Sequence, residues 1–230
     1  MASDSQASDM AVGVRFPTAK VFRLTNRSVW GGTGDSQTIA EIDAAFQNAK
    51  ARLNGAQDIA PELVSTMKPV LERRYKDVIQ APNWPPVQPA TAALACGYQK
   101  DKGSWIVEVD PNCVYTHYGK RGFHAVGSAA GFAFLGGALL SHFRPAEKPL
   151  GHGKVIAYRV ISAAIDTSAA GVGHPIQMWY VDAAGIHEVS KDELQILGDS
   201  VGAWQQEEEV LLDQVLGGKP PEPAPLPPAV

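Results

Sequence analysis

The order of sequence patterns predicts an α+β fold: two stacked antiparallel sheets with helices on both outer faces. Three observations predict it. Strand-like alternation comes in short runs, at residues 20–32, 91–126 and 176–189, each punctuated by turn residues. Helix-periodic segments fall in pairs between those runs, the pattern of helices laid on sheet faces rather than of alternating βαβ units. The chain has 230 residues, 45% hydrophobic and 19% charged, enough for one sizeable core. No internal repeat breaks it up, so it reads as one domain over residues 1–216 and a tail over 217–230.

Met1 to Ser8 reads as the interior of a protein: it lacks the basic start and apolar centre of a secretory signal. A loop is expected after it. Lys20-Val21-Phe22-Arg23-Leu24, a turn at Thr25-Asn26 and Ser28-Val29-Trp30-Gly31-Gly32 then form a hairpin. Thr33-Gly34-Asp35-Ser36 supplies an N-cap, after which Ile39, Ile42, Ala45, Phe46, Ala49 and Leu53 recur at helical spacing. A second helix is expected from about Pro61, with Leu63, Val64, Met67, Val70, Leu71, Tyr75, Val78 and Ile79 on its apolar face and a kink at Pro69. A proline-rich connector covers residues 81–89.

Strands follow at Thr91–Tyr98, Ser104–Asp110, Val114–Tyr118 and Phe123–Val126, with turns at Asp110-Pro111-Asn112 and Gly119-Lys120. A small-residue helix is expected from Ser128 to His142 and another from about Gly153 to Ala164. Ile176–Val181 and Ile186–Val189 make a last hairpin, and a final helix starts at a Ser190 cap with Glu193 three residues on. From Gly217 the Pro-rich tail is expected to lack fixed structure beyond polyproline-II.

Composition excludes several functions. A net charge of −4 and no Lys/Arg run argue against nucleic acid. The most apolar stretch, Ala125 to Leu140, is too short and glycine-rich to span a bilayer, so no membrane partner is expected. Cys96 and Cys113 form no CxxC pair and read as reduced thiols, which with the missing signal predicts a cytoplasmic protein. The histidines have no metal-ligand spacing, Gly151-His152-Gly153-Lys154 is not a P-loop, and Gly127-Ser128-Ala129-Ala130-Gly131 is not a hydrolase elbow. No metal and no cofactor are expected. By spacing alone, Lys20 reads as a strand-edge lysine, Asp4 as a turn residue, Asp166 as a loop residue and Ser128 as an N-cap. Gly31, Gly32 and Gly34 read as a strand-to-helix turn.

Several motifs in order over about residues 1–198 resemble the proteasome β-type subunits of the N-terminal-nucleophile hydrolase superfamily. Asp4 and Lys20 resemble that family's aspartate and lysine at the end of its second and the start of its third strand. Gly31-Gly32-Thr33-Gly34-Asp35 resembles its glycine turn into the first helix, and Trp105 to Asp110 followed by Pro111 its strand ending in Asp-Pro. Ala125-Val126-Gly127-Ser128-Ala129-Ala130 resembles its turn into the third helix. Asp166 matches its late aspartate, and Gly173-His174-Pro175-Ile176 its glycine turn into the seventh strand. The serine common after the late aspartate falls on Ala170 or Val172, with Ser168 nearby.

The resemblance implies a four-layer αββα sandwich whose N-terminal strand hairpin is incomplete, and a threonine-type peptidase, Ser or Cys being the other nucleophiles. The nucleophile itself is in none of these residues; its place is expected ahead of Met1, leaving the chain as written inactive and prone to aggregate. In that family the nucleophile's own α-amine is the general base, and a lysine clamped by a carboxylate keeps the amine neutral and stabilises the alkoxide. The resemblance thus assigns catalysis to Lys20 and Asp4, with Asp166 and Ser128 around the amine. It assigns the oxyanion donor to Gly32, substrate-backbone pairing to Ser8 and the specificity pocket to Trp30. It implies as partners copies of the chain or related subunits in a ring, a polypeptide substrate and an ATPase regulator. The alternatives are a non-catalytic ring subunit and an N-terminal-nucleophile amidase acting on a small molecule.

Overall fold

The computed structural model describes residues 1–9, 14–80, 91–167 and 171–217. Its chain begins with β1 (Ala2–Ser3), then a small hairpin of β2 (Gln6–Asp9) and β3 (Val14–Pro17). The hairpin that the alternation at 20–32 predicts is β4 (Val21–Arg23) and β5 (Ser28–Thr33). Asp35 caps α1 (Ser36–Asn48): its carboxylate accepts from the Thr38 amide at 2.7 Å and the Thr38 hydroxyl at 2.6 Å. A short α2 (Lys50–Gly55) and a long α3 (Ile59–Gln80) follow, the latter running through Pro69.

Next come β6 (Ala92–Gln99), β7 (Gly103–Val109) and β8 (Tyr115–His117), then α4 (Ala130–Leu139), α5 (Leu150–Asp166), β9 (Gln177–Val181), β10 (Ile186–Glu188) and α6 (Lys191–Gly217). Strands β4 to β8 form one antiparallel sheet in chain order, and β1, β9 and β10 form another. The fold is α+β.

Each sheet binds helices through alternate residues. Trp30 on β5, Ala93 and Ala95 on β6, and Val107 and Val109 on β7 meet Ile42 and Phe46 of α1 and Leu63 and Met67 of α3 in the main core. On the smaller sheet, Met178 meets Leu197 of α6, with Ala2, Val155 and Tyr158 packed around them. Strand β9 also touches β4, β5 and β6, so the two sheets are neighbours. A third cluster joins Ala133 and Leu140 of the α4 region to Ile156 and Val160 of α5.

Three expectations are corrected. The segment 123–126 is not a strand, because Phe123 and Ala125 turn to pack on the α4–α5 cluster instead of pairing beside β8. Ser128 does not cap α4: Ala129 occupies that position, with no side-chain hydrogen bond to the helix. A hairpin, β2–β3, stands where the loop was expected. The Ser190 cap is present, its hydroxyl accepting from the Glu193 amide at 3.1 Å, while the Glu193 carboxylate pairs with Lys154.

Candidate functional site

The end of β1 meets the start of β4 through one ion pair. Lys20 Nζ donates to Asp4 Oδ1 at 2.8 Å and to Oδ2 at 2.9 Å. The Asp4 carboxylate also accepts from the Gln6 amide at 2.9 Å and the Gly173 amide at 3.2 Å. Side-chain exposures of 24% for Lys20 and 14% for Asp4 take the pair out of the class of solvent-screened surface bridges. The Lys20 amide donates to Gln177 Oε1 at 2.9 Å, so backbone and side chain of this lysine are both tied to the smaller sheet. An ammonium has three N–H donors, and the carboxylate leaves at least one of them for another acceptor. Among the described residues no Ser, Thr or Cys side chain hydrogen-bonds Lys20.

Gly31 lies directly beside this lysine. A Cβ built there would come 2.9 Å from the Lys20 carbonyl oxygen and 3.4 Å from Met1 Sδ, a separation that only glycine permits. Met1 itself extends the β1–β9 ladder: its amine donates to the Trp179 carbonyl at 2.6 Å, and its carbonyl accepts from the Trp179 amide at 2.8 Å.

The chain beyond β5 leads to the next segment. Gly127 has φ 102°, and a Cβ on it would meet Thr33 Oγ1 at 3.4 Å. Ser128 follows, exposed, with Gly171 close enough that a Cβ there would sit 3.3 Å from the Ser128 hydroxyl. Two residues on, Gly173 returns to Asp4, and its carbonyl accepts from the Ser5 amide at 3.2 Å. Ser5 is buried, and its hydroxyl has no partner among the described residues.

A chain of contacts therefore links the Asp4–Lys20 pair, through the Gly31–Thr33 strand end on one side and the 171–173 turn on the other, to the Gly127–Ser128 turn. Gly32 belongs to β5, and its Cβ direction faces Ile39 and the Trp30 ring, on the helix side of the sheet. Ser8 lies on β2 opposite Arg15, and its side chain is outside the described residues. Asp166 is the exposed last residue of α5. Its carboxylate accepts from Ser162 Oγ at 3.4 Å, and no hydrogen bond joins it to Ser128 among the described residues. Ser168 and Ala170 fall outside the described residues, and Val172 is buried.

Trp30 is not a pocket residue. It is fully buried in the main core, stacked on Phe22 at 5.3 Å and edge-on to Phe46 at 5.0 Å, with Nε1 donating to Asp43 Oδ1 at 3.1 Å. Strand parity sends residue 30 to the helices and residue 31 to the other sheet. Sequence reading also passed over Gln177 and Ser5. The glycine turn at 173–176 pointed to their neighbourhood, but no spacing in the sequence connects either one to Lys20.

Cys96 and Cys113 are free thiols, and burial pushes the Cys113 thiol above its ordinary pKa, the Lys68 charge working against it. Among the described residues no group of three His, Cys, Asp or Glu could hold a metal ion, and no helix is long and apolar enough to cross a membrane. No protein-family model matches this chain, and no curated protein matches it.

Proposed function

We propose that this chain is the αββα body of a proteasome β-type, N-terminal-nucleophile peptidase that acts on polypeptides. The observation that carries the reading is the Asp4–Lys20 pair: a cation clamped by a mostly buried carboxylate, at a strand end where glycine lets backbones close in. Beside an N-terminal nucleophile such a cation keeps the α-amine neutral and stabilises the alkoxide. An α-amine has a pKa of about 7.7–8.0, so a modest field is enough to make it a base at working pH. Helices packed on the outer side of each sheet, with the sheets adjacent, support the four-layer arrangement that this chemistry would use.

The reading requires a strand ahead of Met1 that carries Thr, Ser or Cys. Its test is the reading frame before the Met1 codon, together with peptide hydrolysis by the extended protein. An alternating hairpin with such a residue, and a fall of at least ~10²-fold on Lys20→Ala, the scale of a positioned acid–base group, are expected. A stop codon or an unrelated linker, or activity within a few-fold of the parent in Lys20→Ala, would overturn it.

A second reading, a ring subunit with no chemistry of its own, draws on a different observation. Phe132, Leu135 and Leu139 expose one face of α4, and Leu211, Leu212, Val215 and Leu216 expose the end of α6. Ring contacts of over ~1,000 Å² would cover such faces. Light scattering after size-exclusion chromatography tests this reading, and a clean monomer at micromolar concentration contradicts it.

A further inference from the structure

We propose that His124 and Glu108 form a proton-linked clasp that positions the Gly127–Ser128 turn. Residues 123–126 belong to no strand, so side chains must fix their course. Phe123 packs edge-on to Phe134 of α4 at 6.3 Å and lies against Gly137. The next residue reaches the opposite way: His124 Nε2 lies 2.7 Å from Glu108 Oε2 on β7. The imidazole stacks face to face on Tyr118 at 3.6 Å and is tilted against Phe134 at 5.4 Å. Its side chain is only 6% exposed, that of Glu108 22%, and Nδ1 is buried with no partner among the described residues.

A phenylalanine at this position would supply the same stacking without an orphaned nitrogen. What histidine adds is the bond to Glu108 and a site that takes up a proton. In the neutral ring Nε2–H donates to the carboxylate, and Nδ1 is a bare lone pair. Protonation turns Nδ1 into a donor that the present surroundings do not satisfy, while the charge gains from Glu108. The groups facing the ring are Glu108 from β7, Tyr118 from the chain after β8, and Phe134 from α4. The Arg121 guanidinium sits on that Phe134 ring at 5.7 Å. Uptake of a proton therefore shifts the segment that leads, three residues on, into Gly127 and Ser128.

The functional meaning rests on the peptidase reading, in which that turn borders the nucleophile; the coupling itself does not. Nuclear magnetic resonance of the full chain, titrated between about pH 5 and 8, where histidines change charge, tests it. The amides of Gly127, Ser128 and Gly171 should move with the same midpoint as the His124 ring. Glu108→Gln, which removes the carboxylate that His124 Nε2 contacts, should reduce the movement of the turn amides. His124→Phe, which keeps the stack, should silence the movement of the turn. A His124 ring that titrates while the turn amides stay still overturns the clasp, and so does a turn that moves as fully in Glu108→Gln as in the parent. If the turn follows His124 but the extended protein cleaves no peptide, the clasp stands and the peptidase reading falls. Peptide cleavage with a pH-silent turn gives the converse.

Discussion

Replacing Asp4 with alanine removes the acceptor at which β1, β4 and the 173 turn converge. Lys20 would keep its charge at 24% side-chain exposure with no carboxylate, and the Gln6 and Gly173 amides would each lose a hydrogen bond. Stranding one member of a fully buried ion pair costs about 3–5 kcal/mol, whereas an exposed bridge contributes about 0–1 kcal/mol. Lys20 still reaches some solvent, so the expected cost lies between the two, about 2–3 kcal/mol. For a chain of this size that lowers Tm by roughly 4–12 °C, at about 2–4 °C per kcal/mol.

Lys20→Met should cost less, because Asp4 keeps its two amide donors. The double variant should then cost less than the sum of the singles, with a coupling energy of about 1–2 kcal/mol for groups in direct contact. Urea unfolding at pH 7, followed by circular dichroism with m-values compared, measures all three. A loss below about 0.5 kcal/mol for Asp4→Ala, the scale of an ordinary surface change, would mean that the ion pair does not hold β1, β4 and the 173 turn together.

Gly31→Ala should destabilise by about 1–3 kcal/mol, because its Cβ would press on the Lys20 carbonyl and backbone cannot yield cheaply, and thermal unfolding checks it. Gly55→Ala, where nothing lies within 4 Å of the new carbon, serves as the control and should be neutral or stabilising by up to about 1 kcal/mol. Trp30→Ala should cost about 3–5 kcal/mol through the cavity it leaves among Phe22, Ile42 and Phe46, measured by denaturant unfolding. Glu208 is held below its ordinary pKa of 4.5 by hydrogen bonds from Arg159, burial working against them. A depressed carboxylate stabilises the fold above its unfolded pKa and loses that contribution as pH falls through the folded value. The Tm gap between parent and Glu208→Gln should therefore be full at neutral pH and close below about pH 4. With Glu208 43% exposed, the gap should correspond to no more than about 1 kcal/mol.

The sequence made some of this architecture plain and concealed the rest for physical reasons. The hairpin at 20–32, the Asp35 and Ser190 caps and the periodic faces of α1 and α3 were legible because each rests on neighbours within a few residues. Residues 123–126 alternate like a strand, but a strand needs a partner, and Phe123, His124 and Ala125 found theirs in side chains instead. The β2–β3 hairpin was missed because β2 carries one apolar residue, Ala7, and the alternation of β3, Val14-Arg15-Phe16, is too short to stand out. For Trp30 the residue was in the right strand and on the wrong face. Side chains alternate with a period of two, so one position decides between core and site, and motif spacing does not resolve it.

What locates the site most firmly is a closed circuit of contacts rather than any single side chain. Asp4 binds Lys20, Lys20 lies against Gly31, and β5 carries on to Thr33, which Gly127 approaches. Ser128 then meets Gly171, and Gly173 donates back to Asp4. Pieces of chain from residues 4, 20, 31, 127, 171 and 173 converge, and four of these six are glycines; at Gly31 the Lys20 carbonyl lies where a Cβ would press on it. Small residues there serve close approach, while the charged pair adds direction. A hydrophobic pair could join the two sheets at comparable stability, but it would leave no N–H to offer a third acceptor. Lys20 and Asp4 add that capacity, and it separates the chemistry of this corner from its packing.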